Sequence, residues 1–449
     1  MGRVPPHARL TTTHDKKSFR VAIECDGENV TGVLSRALPG RARISLAQAP
    51  ECVREASEVS RSPDSGAETC MNCKDCKESR DVSSQLTAEC GYLKELGMTK
   101  HILRGVCGFG ACCFLGLGAT AQTKPFDIYW VDVEGGAATL LVSPNGESLL
   151  VDTGFPSADN RDAERIFAAA QEAGITRIDT LVITHFHRDH VGGLQALAEM
   201  IPIGRCVDHG TNTEESNQRW VDAYLSVCRE KRAAVGPGER IPFGPVTVDV
   251  VASDGGLIET AVNDGGDNPR CATAEQKAQA SPENQRSVGA LFTYGRFTFL
   301  DLGDFNWAKE VELSCPTNMV GEVTVYQTSR HGAWDDAGSP THLYAIKPQV
   351  IIVNNGPRKG LGGTSPGYSE VTTRHFERMS NSPEVEGIWQ GHLSLLDPDP
   401  AHNTAPQMIA NLEETAECEG HWLRTSVNED GTFTVTNGRN GFSRSYTAR

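Results

Sequence analysis

The run Thr184-His185-Phe186-His187-Arg188-Asp189-His190-Val191-Gly192-Gly193 decides the fold of this chain. Three histidines and an aspartate occur within six residues of it, in the spacing H-x-H-x-D-H. The motif follows residues 178–183, which predict a strand that is buried at least over its apolar end Leu181-Val182-Ile183. Alternate residues of an extended segment point to one side, so His185 and His187 can bind one metal ion together. The turn into a following helix directs Asp189 and His190 to a second metal ion.

The surrounding sequence predicts alternating strands and helices. Short β-prone runs at 126–133, 138–142 and 148–151 are separated by Gly-Gly and Pro-Asn-Gly, which predicts a meander. Further elements are predicted as helices at 163–173, 217–232 and 408–415, as strands at 203–207 and 246–252, and as a hairpin of 422–427 with 432–436.

Three other runs complete a pattern that resembles the metallo-β-lactamase superfamily. They are Leu150-Val151-Asp152-Thr153-Gly154, Phe299-Leu300-Asp301-Leu302-Gly303-Asp304 and Thr328-Ser329-Arg330-His331-Gly332. The resemblance covers roughly residues 126–395 and implies an α/β fold, a four-layer αββα sandwich. It also implies that Asp152 braces the site, that the Asp304 carboxylate bridges two metal ions, and that His331 completes the second one.

Finer detail resembles the hydrolase domain of ComEC-type competence proteins. It is carried by the runs 131–136 (VDVEGG), 284–288 (NQRSV), 326–332 (YQTSRHG) and 350–356 (VIIVNNG), together with Leu302-Gly303-Asp304. Two departures stand out, because Arg330 replaces the first histidine of that branch's H-H-G and Glu134 replaces its usual glycine. No membrane channel accompanies the domain, so the resemblance implies a stand-alone exported relative.

Several polar residues are candidates for completing the site. His209 is the candidate for the third histidine of the first metal; otherwise it lines the pocket, or a water fills that position. Arg188 and Arg330 can hold a substrate anion, the alternative being surface or supporting roles. His392 and His342 can each enter the pocket or be a buried structural histidine. For His342 the structural interpretation is favoured.

The resemblance implies two zinc ions per chain that share a hydroxide as nucleophile. The metals lower the pKa of the bound water and polarise a carbonyl or phosphoryl oxygen. Asp189 and Asp304, the predicted catalytic residues, orient that hydroxide.

Charge narrows the substrate class. The chain has 449 residues and a net charge of −16, and residues 122–449 carry 26 Lys or Arg against 44 Asp or Glu, a net −18. Such an acidic domain repels a polynucleotide backbone. The sequence therefore predicts a small ester or phosphoester substrate, with no nucleic acid and no stable membrane partner.

The first 121 residues have a different character. Residues 1–97 are polar and predict a disordered or non-native segment, although Cys70, Cys73, Cys76 and Cys90 have spacing that can bind zinc or an iron–sulfur cluster. Residues 98–121 combine basic residues, an apolar run and Ala119-Thr120-Ala121, which predicts a signal peptide and a periplasmic or secreted protein. The native start is then hypothesised to be Met98.

The predicted organisation behind the signal peptide is a hydrolase domain at 122–395 and a C-terminal extension with a β-hairpin at 396–449. Five cysteines fall in this part of the chain, an odd number whose spacing suggests no disulfide framework.

The predicted function is an exported dinuclear-zinc hydrolase that cleaves a small phosphoester, a phosphodiester or a lactone. The alternatives are an extracellular ComEC-like nuclease and a non-catalytic metal-binding protein on the same fold. β-Lactam hydrolysis is less favoured, because the motifs are closer to the competence branch.

Overall fold

The computed structural model describes residues 124–277, 281–333, 335–363, 374–415 and 418–449, together with the backbone of three strands nearer the start of the chain. Those strands, β1 (Arg9–Asp15), β2 (Ser18–Cys25) and β3 (Glu28–Leu34), pair in antiparallel order. They lie in a segment for which no strand is predicted, because composition averaged over 97 residues hides its short Thr- and Val-rich runs. The predicted signal peptide and the cysteine cluster from Cys70 to Cys90 lie outside the described residues.

A second compact unit spans Gly118–Arg449. Its strands are β4 (Phe126–Trp130), β5 (Thr139–Val142), β6 (Ser148–Val151), β7 (Ile178–Val182), β8 (Ile203–Asp208), β9 (Arg232–Ala234), β10 (Thr247–Ser253), β11 (Gly256–Leu257), β12 (Gly289–Tyr294), β13 (Phe297–Asp301), β14 (Val325–Gln327), β15 (Val350–Val353), β16 (Gly387–His392), β17 (Ile409–Asn411), β18 (Leu423–Val427), β19 (Thr432–Asn437) and β20 (Ser443–Thr447). Its helices are α1 (Arg161–Glu172), α2 (Arg188–Val191), α3 (Leu194–Met200), α4 (Gln218–Cys228), α5 (Trp307–Ser314), α6 (Pro340–Ile346) and α7 (His375–Ser380).

The strands of this unit form two sheets. The first has the order β20-β19-β18-β4-β5-β6-β7-β8-β9, and the second has the order β11-β10-β12-β13-β14-β15-β16-β17. Strands β4 to β6 pair in antiparallel fashion, which confirms the predicted meander, and β6 to β9 continue in parallel. Parallel strands end at the same edge of a sheet, so the loops that follow β6 and β7 meet there.

Strand alternation places apolar side chains on both faces of each sheet. In β15, Val350 and Ile352 face the core between the two sheets, where they join Phe126 of the first sheet, whereas Ile351 faces outward. The outer face of the first sheet packs against α1, α3 and α4, and that of the second against α5, α6 and α7. The architecture is therefore the predicted four-layer αββα sandwich.

The predicted boundary at residue 395 does not divide the structure. Strand β18 pairs along its whole length with β4, with Leu423 opposite Trp130, and β17 pairs with β16. The hairpin of β18 and β19 forms as predicted, but it is part of the first sheet. The predicted helix at 408–415 is wrong: Pro406–Met408 form a 3₁₀ turn and the next residues enter β17.

Two disulfides correct the interpretation of the cysteines. Cys206 in β8 bonds to Cys228 at the end of α4, and Cys271 bonds to Cys315. Cys418 is free. Each bridge joins elements that tertiary packing brings together, so spacing in the sequence could not reveal it. Among the described residues, no helix has the length and apolar character needed to cross a membrane.

Candidate metal centre

The histidine motif occupies the turn from β7 into α2. His187 caps α2 with an extended backbone (φ −76°, ψ 155°), and the helix starts at Arg188. The extended stretch lets His185 and His187 face the same side, while Phe186 points away and packs against Tyr224. Asp189 and His190 lie in the first turn of α2, as predicted.

Four donor atoms converge at the end of this turn. They belong to Asp189, His190, Asp304 and His331, all buried, and they lie within 4.8 Å of one another. We call these residues the four-donor set. His190 Nε2 is 3.5 Å from Asp189 Oδ2 and 3.3 Å from Asp304 Oδ1, and His331 Nε2 is 3.3 Å from each of the same two oxygens.

These separations fit a zinc ion. Edges of this length belong to a tetrahedron whose centre is about 2.1 Å from each corner, which matches zinc–nitrogen and zinc–oxygen distances. His190 Nε2, His331 Nε2 and Asp304 Oδ1 are buried without a hydrogen-bond partner. Burying three polar atoms that make no well-formed hydrogen bond is costly unless a ligand satisfies them. The residues present therefore fit a divalent metal.

Asp152 fixes the orientation of His190. Its Oδ2 lies 2.7 Å from His190 Nδ1, and it also accepts hydrogen bonds from the hydroxyl of Thr184 (2.7 Å) and, through Oδ1, from the Thr184 backbone N–H (2.8 Å). A carboxylate on one ring nitrogen holds the proton there and leaves the opposite nitrogen free for a metal. This geometry matches the bracing role that the motif predicts for Asp152.

His331 reaches the four-donor set through an unusual backbone. Arg330, His331 and Gly332 have successive φ values of 53°, 57° and 78°, in the left-handed region. Two non-glycine residues there cost free energy that the surrounding structure must supply, a pattern typical of functional sites. Gly332 itself is required, because a Cβ at this position would lie 2.9 Å from Val353.

His185 and His187 form a separate histidine pair. His185 Nε2 and His187 Nδ1 are 2.9 Å apart, and Asp304 Oδ2 lies 4.0 Å from His185 Nε2. Glu214 accepts at 3.0 Å from His187 Nε2, which leaves Nδ1 of that ring available to a metal. The carboxylate of Asp304 therefore reaches toward both the four-donor set and the histidine pair.

The structure does not bring His209 to the histidine pair. Its Nε2 lies 2.8 Å from Glu283 Oε1, in full burial, and its ring packs against Phe186 on the side away from the pair. Phe186 alternates with His185 and His187 along the extended turn, so a side chain that contacts Phe186 faces the opposite side. Glu283 also accepts from the Phe186 and Thr213 backbone, which ties His209 into a supporting network.

Two cations flank the four-donor set. The Lys359 ammonium donates to Asp189 Oδ2, and Arg330 Nη1 lies 3.5 Å from Asp304 Oδ2 while its other nitrogens contact Asp336. Gly135 allows Lys359 to approach, because a Cβ there would lie 2.7 Å from Lys359 Cβ. Arg188 is exposed and sits 5.5 Å above the Phe155 ring.

Charge in the centre is concentrated on the carboxylates. Burial opposes ionisation of Asp189 and Asp304, yet Lys359 and His190 hold the pKa of Asp189, and His331 and His190 the pKa of Asp304, well below the usual value. Burial lowers the pKa of His185 well below its usual range, helped by its histidine neighbours. Ionised carboxylates and a neutral imidazole are the forms that bind metal.

The remaining predicted residues lie elsewhere. His342 is buried with its Nδ1 2.8 Å from Ser314 Oγ, as expected of a structural histidine. His392 lies beside Asp132 and Cys418 and is not a member of the four-donor set. Glu134 adopts φ 54°, in the left-handed region that favours glycine, and its carboxylate pairs with Arg161 at 2.6 Å.

Sequence reasoning missed Glu214, Glu283 and Lys359. Each is far from the histidine motif in the chain and occupies a loop, so no periodic pattern singles it out. Ser287 also supports the site: its hydroxyl accepts from the Asp304 backbone N–H at 3.2 Å and lies 3.4 Å from His185 Nδ1.

An αββα sandwich with histidine and aspartate donors at the ends of its strands defines a class of metal-binding, mostly hydrolytic proteins. Residues 131–260 match the family model described as "Metallo-beta-lactamase superfamily", which supports membership of that superfamily for this part of the chain. This confirms the family prediction made from the motifs.

Individual relatives are distant. "Recombination protein 2" of Haemophilus influenzae is 25% identical over 260 residues, which is 57% of this chain and 28% of the relative. The chain thus spans about a quarter of the length of that curated relative. Among solved structures, the metallo-beta-lactamase fold protein YhfI from Bacillus subtilis has 13% identity and a TM-score of 0.34, with 59% of this chain and 96% of that chain covered. A diphosphatase from the PhnP family has 13% identity and a TM-score of 0.33, with 68% of this chain and 98% of that chain covered.

Proposed function

We propose that this protein is a metal-dependent hydrolase of small anionic esters, foremost phosphoesters. The observation that carries the proposal is the four-donor set, whose unpaired buried atoms converge at zinc-binding distances. A protein that binds no metal has no need to keep three such atoms unsatisfied, since apolar side chains would fill the same space at lower cost. A metal-binding protein without activity is distinguished by the kinetic test below.

Asp189, His190, Asp304 and His331 would hold one metal ion, and the histidine pair with Asp304 Oδ2 a second, as the proposed two-zinc centre requires. Zinc bound there supplies Lewis acidity, which acidifies water and polarises the ester oxygen. Asp189 and Asp304 present their carboxylates to the same space and orient the attacking water. Asp152 keeps His190 in one tautomer, so the donor atoms are held ready before substrate arrives.

Lys359 and Arg330 favour an anionic substrate. Each contacts a carboxylate of the four-donor set from a different side, so positive charge borders the position where the substrate's oxygens would lie. A phosphoester carries charge that these cations can bind, whereas a neutral lactone or ester gains nothing from them. The net −18 of residues 122–449 disfavours a long polynucleotide and therefore the nuclease alternative.

Export is part of the proposal. The disulfides Cys206–Cys228 and Cys271–Cys315 are typical of proteins that mature in an oxidising compartment. They support the signal peptide proposed at 98–121 and a periplasmic or secreted location.

The test combines metal content with substrate choice. The full chain, loaded with zinc and dialysed, is expected to hold about two zinc ions in this centre and to hydrolyse bis-p-nitrophenyl phosphate faster than p-nitrophenyl acetate. Lys359→Ala is expected to raise KM for the phosphodiester about tenfold while leaving KM for the neutral ester unchanged.

Lys124→Ala removes an exposed lysine as the matched control. Bound zinc with no hydrolysis of either ester would favour the alternative of a non-catalytic metal-binding protein. If Lys359→Ala raises KM equally for both esters, Lys359 does not favour an anionic substrate.

A further inference from the structure

A second convergence of metal-binding side chains lies outside the centre described above. Asp132, His392 and Cys418 place one donor atom each within 4.8 Å of one another. Asp132 follows β4, His392 ends β16, and Cys418 precedes β18, so the three come from widely separated parts of the chain. We call them the thiol cluster, and none of its members belongs to the four-donor set or the histidine pair.

His392 is oriented as a ligand. Its ring is 1% exposed, and Nδ1 faces the Leu393 carbonyl at 3.1 Å, which places the proton on that nitrogen. Nε2 is buried without a hydrogen bond of normal geometry, and Cys418 is the side chain with which the ring interacts. An imidazole anchored through one nitrogen by a backbone carbonyl is the usual state of a metal-binding histidine.

The same geometry argues against a cysteine nucleophile activated by a triad. In such a triad the carboxylate holds the nitrogen opposite the thiol. Here His392 Nδ1 is hydrogen-bonded to the Leu393 carbonyl. Asp132 and Cys418 therefore both lie near the other ring nitrogen, Nε2. Three donor atoms that converge on one point, as here, can bind a cation together, whereas a catalytic triad needs them in a row to transfer a proton.

Arg165 holds the frame of the thiol cluster. Its guanidinium donates to the Cys418 carbonyl at 2.7 Å and to the Asp132 carbonyl at 3.1 Å, and it lies 3.3 Å from Asp132 Oδ2. Asp132 Oδ1 also accepts from the Glu134 backbone N–H at 2.9 Å. The cluster is therefore braced through both backbone and side chains, while the thiol donates in a long contact of 3.8 Å to Asn411 Oδ1.

We propose that Asp132, His392 and Cys418 bind a thiophilic divalent cation, with zinc as the expected ion, at a third metal site. A thiolate, a neutral imidazole and a carboxylate are a ligand set that zinc accepts. Cys418 is partly exposed, which gives the ion a path of entry. The bound ion clips the segment before β18 to the ends of β4 and β16, which belong to different sheets.

The proposal is tested on the wild-type full chain by alkylation of Cys418. Metal-free protein is treated with iodoacetamide with and without added zinc, and modification of the Cys418 peptide is followed by mass spectrometry. Zinc is expected to slow alkylation at Cys418 about tenfold or more, because a coordinated thiolate is a poorer nucleophile. Peptide mapping separates Cys418 from the other thiols of the chain.

Two variants locate the effect. Asp304→Ala removes a residue of the other centre and is expected to keep the zinc protection of Cys418, whereas His392→Gln is expected to lose it. Equal alkylation rates with and without zinc in the wild-type chain would overturn the proposal. So would protection that disappears in Asp304→Ala but persists in His392→Gln, since the ion would then act from the other centre.

Discussion

The four-donor set and the histidine pair lie side by side yet differ in how completely the fold prepares them. The four-donor set has four buried ligand atoms, a carboxylate behind His190 and a strained turn that delivers His331. The histidine pair has two nitrogens and the far oxygen of Asp304, and the third histidine predicted for it lies in a different network. The difference predicts two metal ions of unequal affinity, because preorganised ligands lose less entropy on binding.

The comparison also shows how a bridging residue links unequal sites. Asp304 Oδ1 belongs to the four-donor set, and its other carboxylate oxygen, Oδ2, lies 4.0 Å from His185 Nε2. Metal in the better site would hold Asp304 in place and so complete the poorer one. We therefore expect sequential loading, with the four-donor set filled first.

The largest effect is expected from Asp304→Ala. This change removes a donor from both sites, so the zinc held by these two sites should fall toward zero and kcat/KM should fall by more than about 100-fold, beyond the usual effect of losing a supporting residue. Metal analysis and phosphodiester kinetics measure both quantities. Asp222→Ala, on the exposed face of α4, is the control; retention of both metals by the Asp304 variant would contradict the bridging role.

Asp152→Asn and Glu214→Gln separate the two sites. Each change weakens the carboxylate behind one histidine, and losses of about 10–100-fold in metal affinity are expected. Asp152→Asn should weaken binding of the zinc ion that is held more tightly. Glu214→Gln should weaken binding only of the other zinc ion, as measured by competition with a chelator. If both variants weaken the same ion, the two sites are not independent in the way the geometry indicates.

His209→Gln tests whether the predicted third histidine has any part in metal binding. Zinc content should stay unchanged, whereas the free energy of unfolding should fall by about 1–3 kcal/mol because Glu283 loses a buried partner. Chemical denaturation and metal analysis distinguish the outcomes, with His421→Gln as a partly exposed control. Loss of one zinc ion would return His209 to the ligand set.

The same pair predicts a pH effect. Burial would raise the pKa of Glu283, but the hydrogen bond and charge of His209 and the Thr213 and Phe186 N–H groups lower it to about 2, from an ordinary 4.5. The stability that Glu283 contributes is therefore present above pH 4.5 and lost as the pH falls toward about 2. Glu283→Gln should flatten the loss of stability in this window, measured by denaturation at a series of pH values.

The smallest effect is expected from Arg188→Ala. Its guanidinium is exposed and stacks over Phe155, a contact worth about 0.5–1 kcal/mol at the surface. Neither metal content nor kcat/KM should change beyond about fivefold. A larger fall in kcat/KM with unchanged zinc would assign Arg188 to substrate binding.

The sequence predicts the parts of this molecule that depend on local pattern. The β7-to-α2 turn places His185, His187, Asp189 and His190 as their spacing requires, and the meander and sandwich follow from strand alternation. His209 could not be placed, because a histidine one residue past a strand can face either side, and its partner Glu283 is 74 residues away. The disulfides, Lys359 and the thiol cluster were equally inaccessible, since each depends on contacts between distant loops.

The pairing of β18 with β4 sets the order in which this protein can fold. The two partners are separated by almost the whole domain, as the Arg424 to Tyr129 contact spans 295 residues. A ribosome must therefore release nearly the complete chain before the first sheet can close, and contacts of such long range form slowly. Until then β4 is an open edge that invites pairing with other chains. A domain that lacks its last strands therefore stays incompletely folded, a state compatible with the export that we propose.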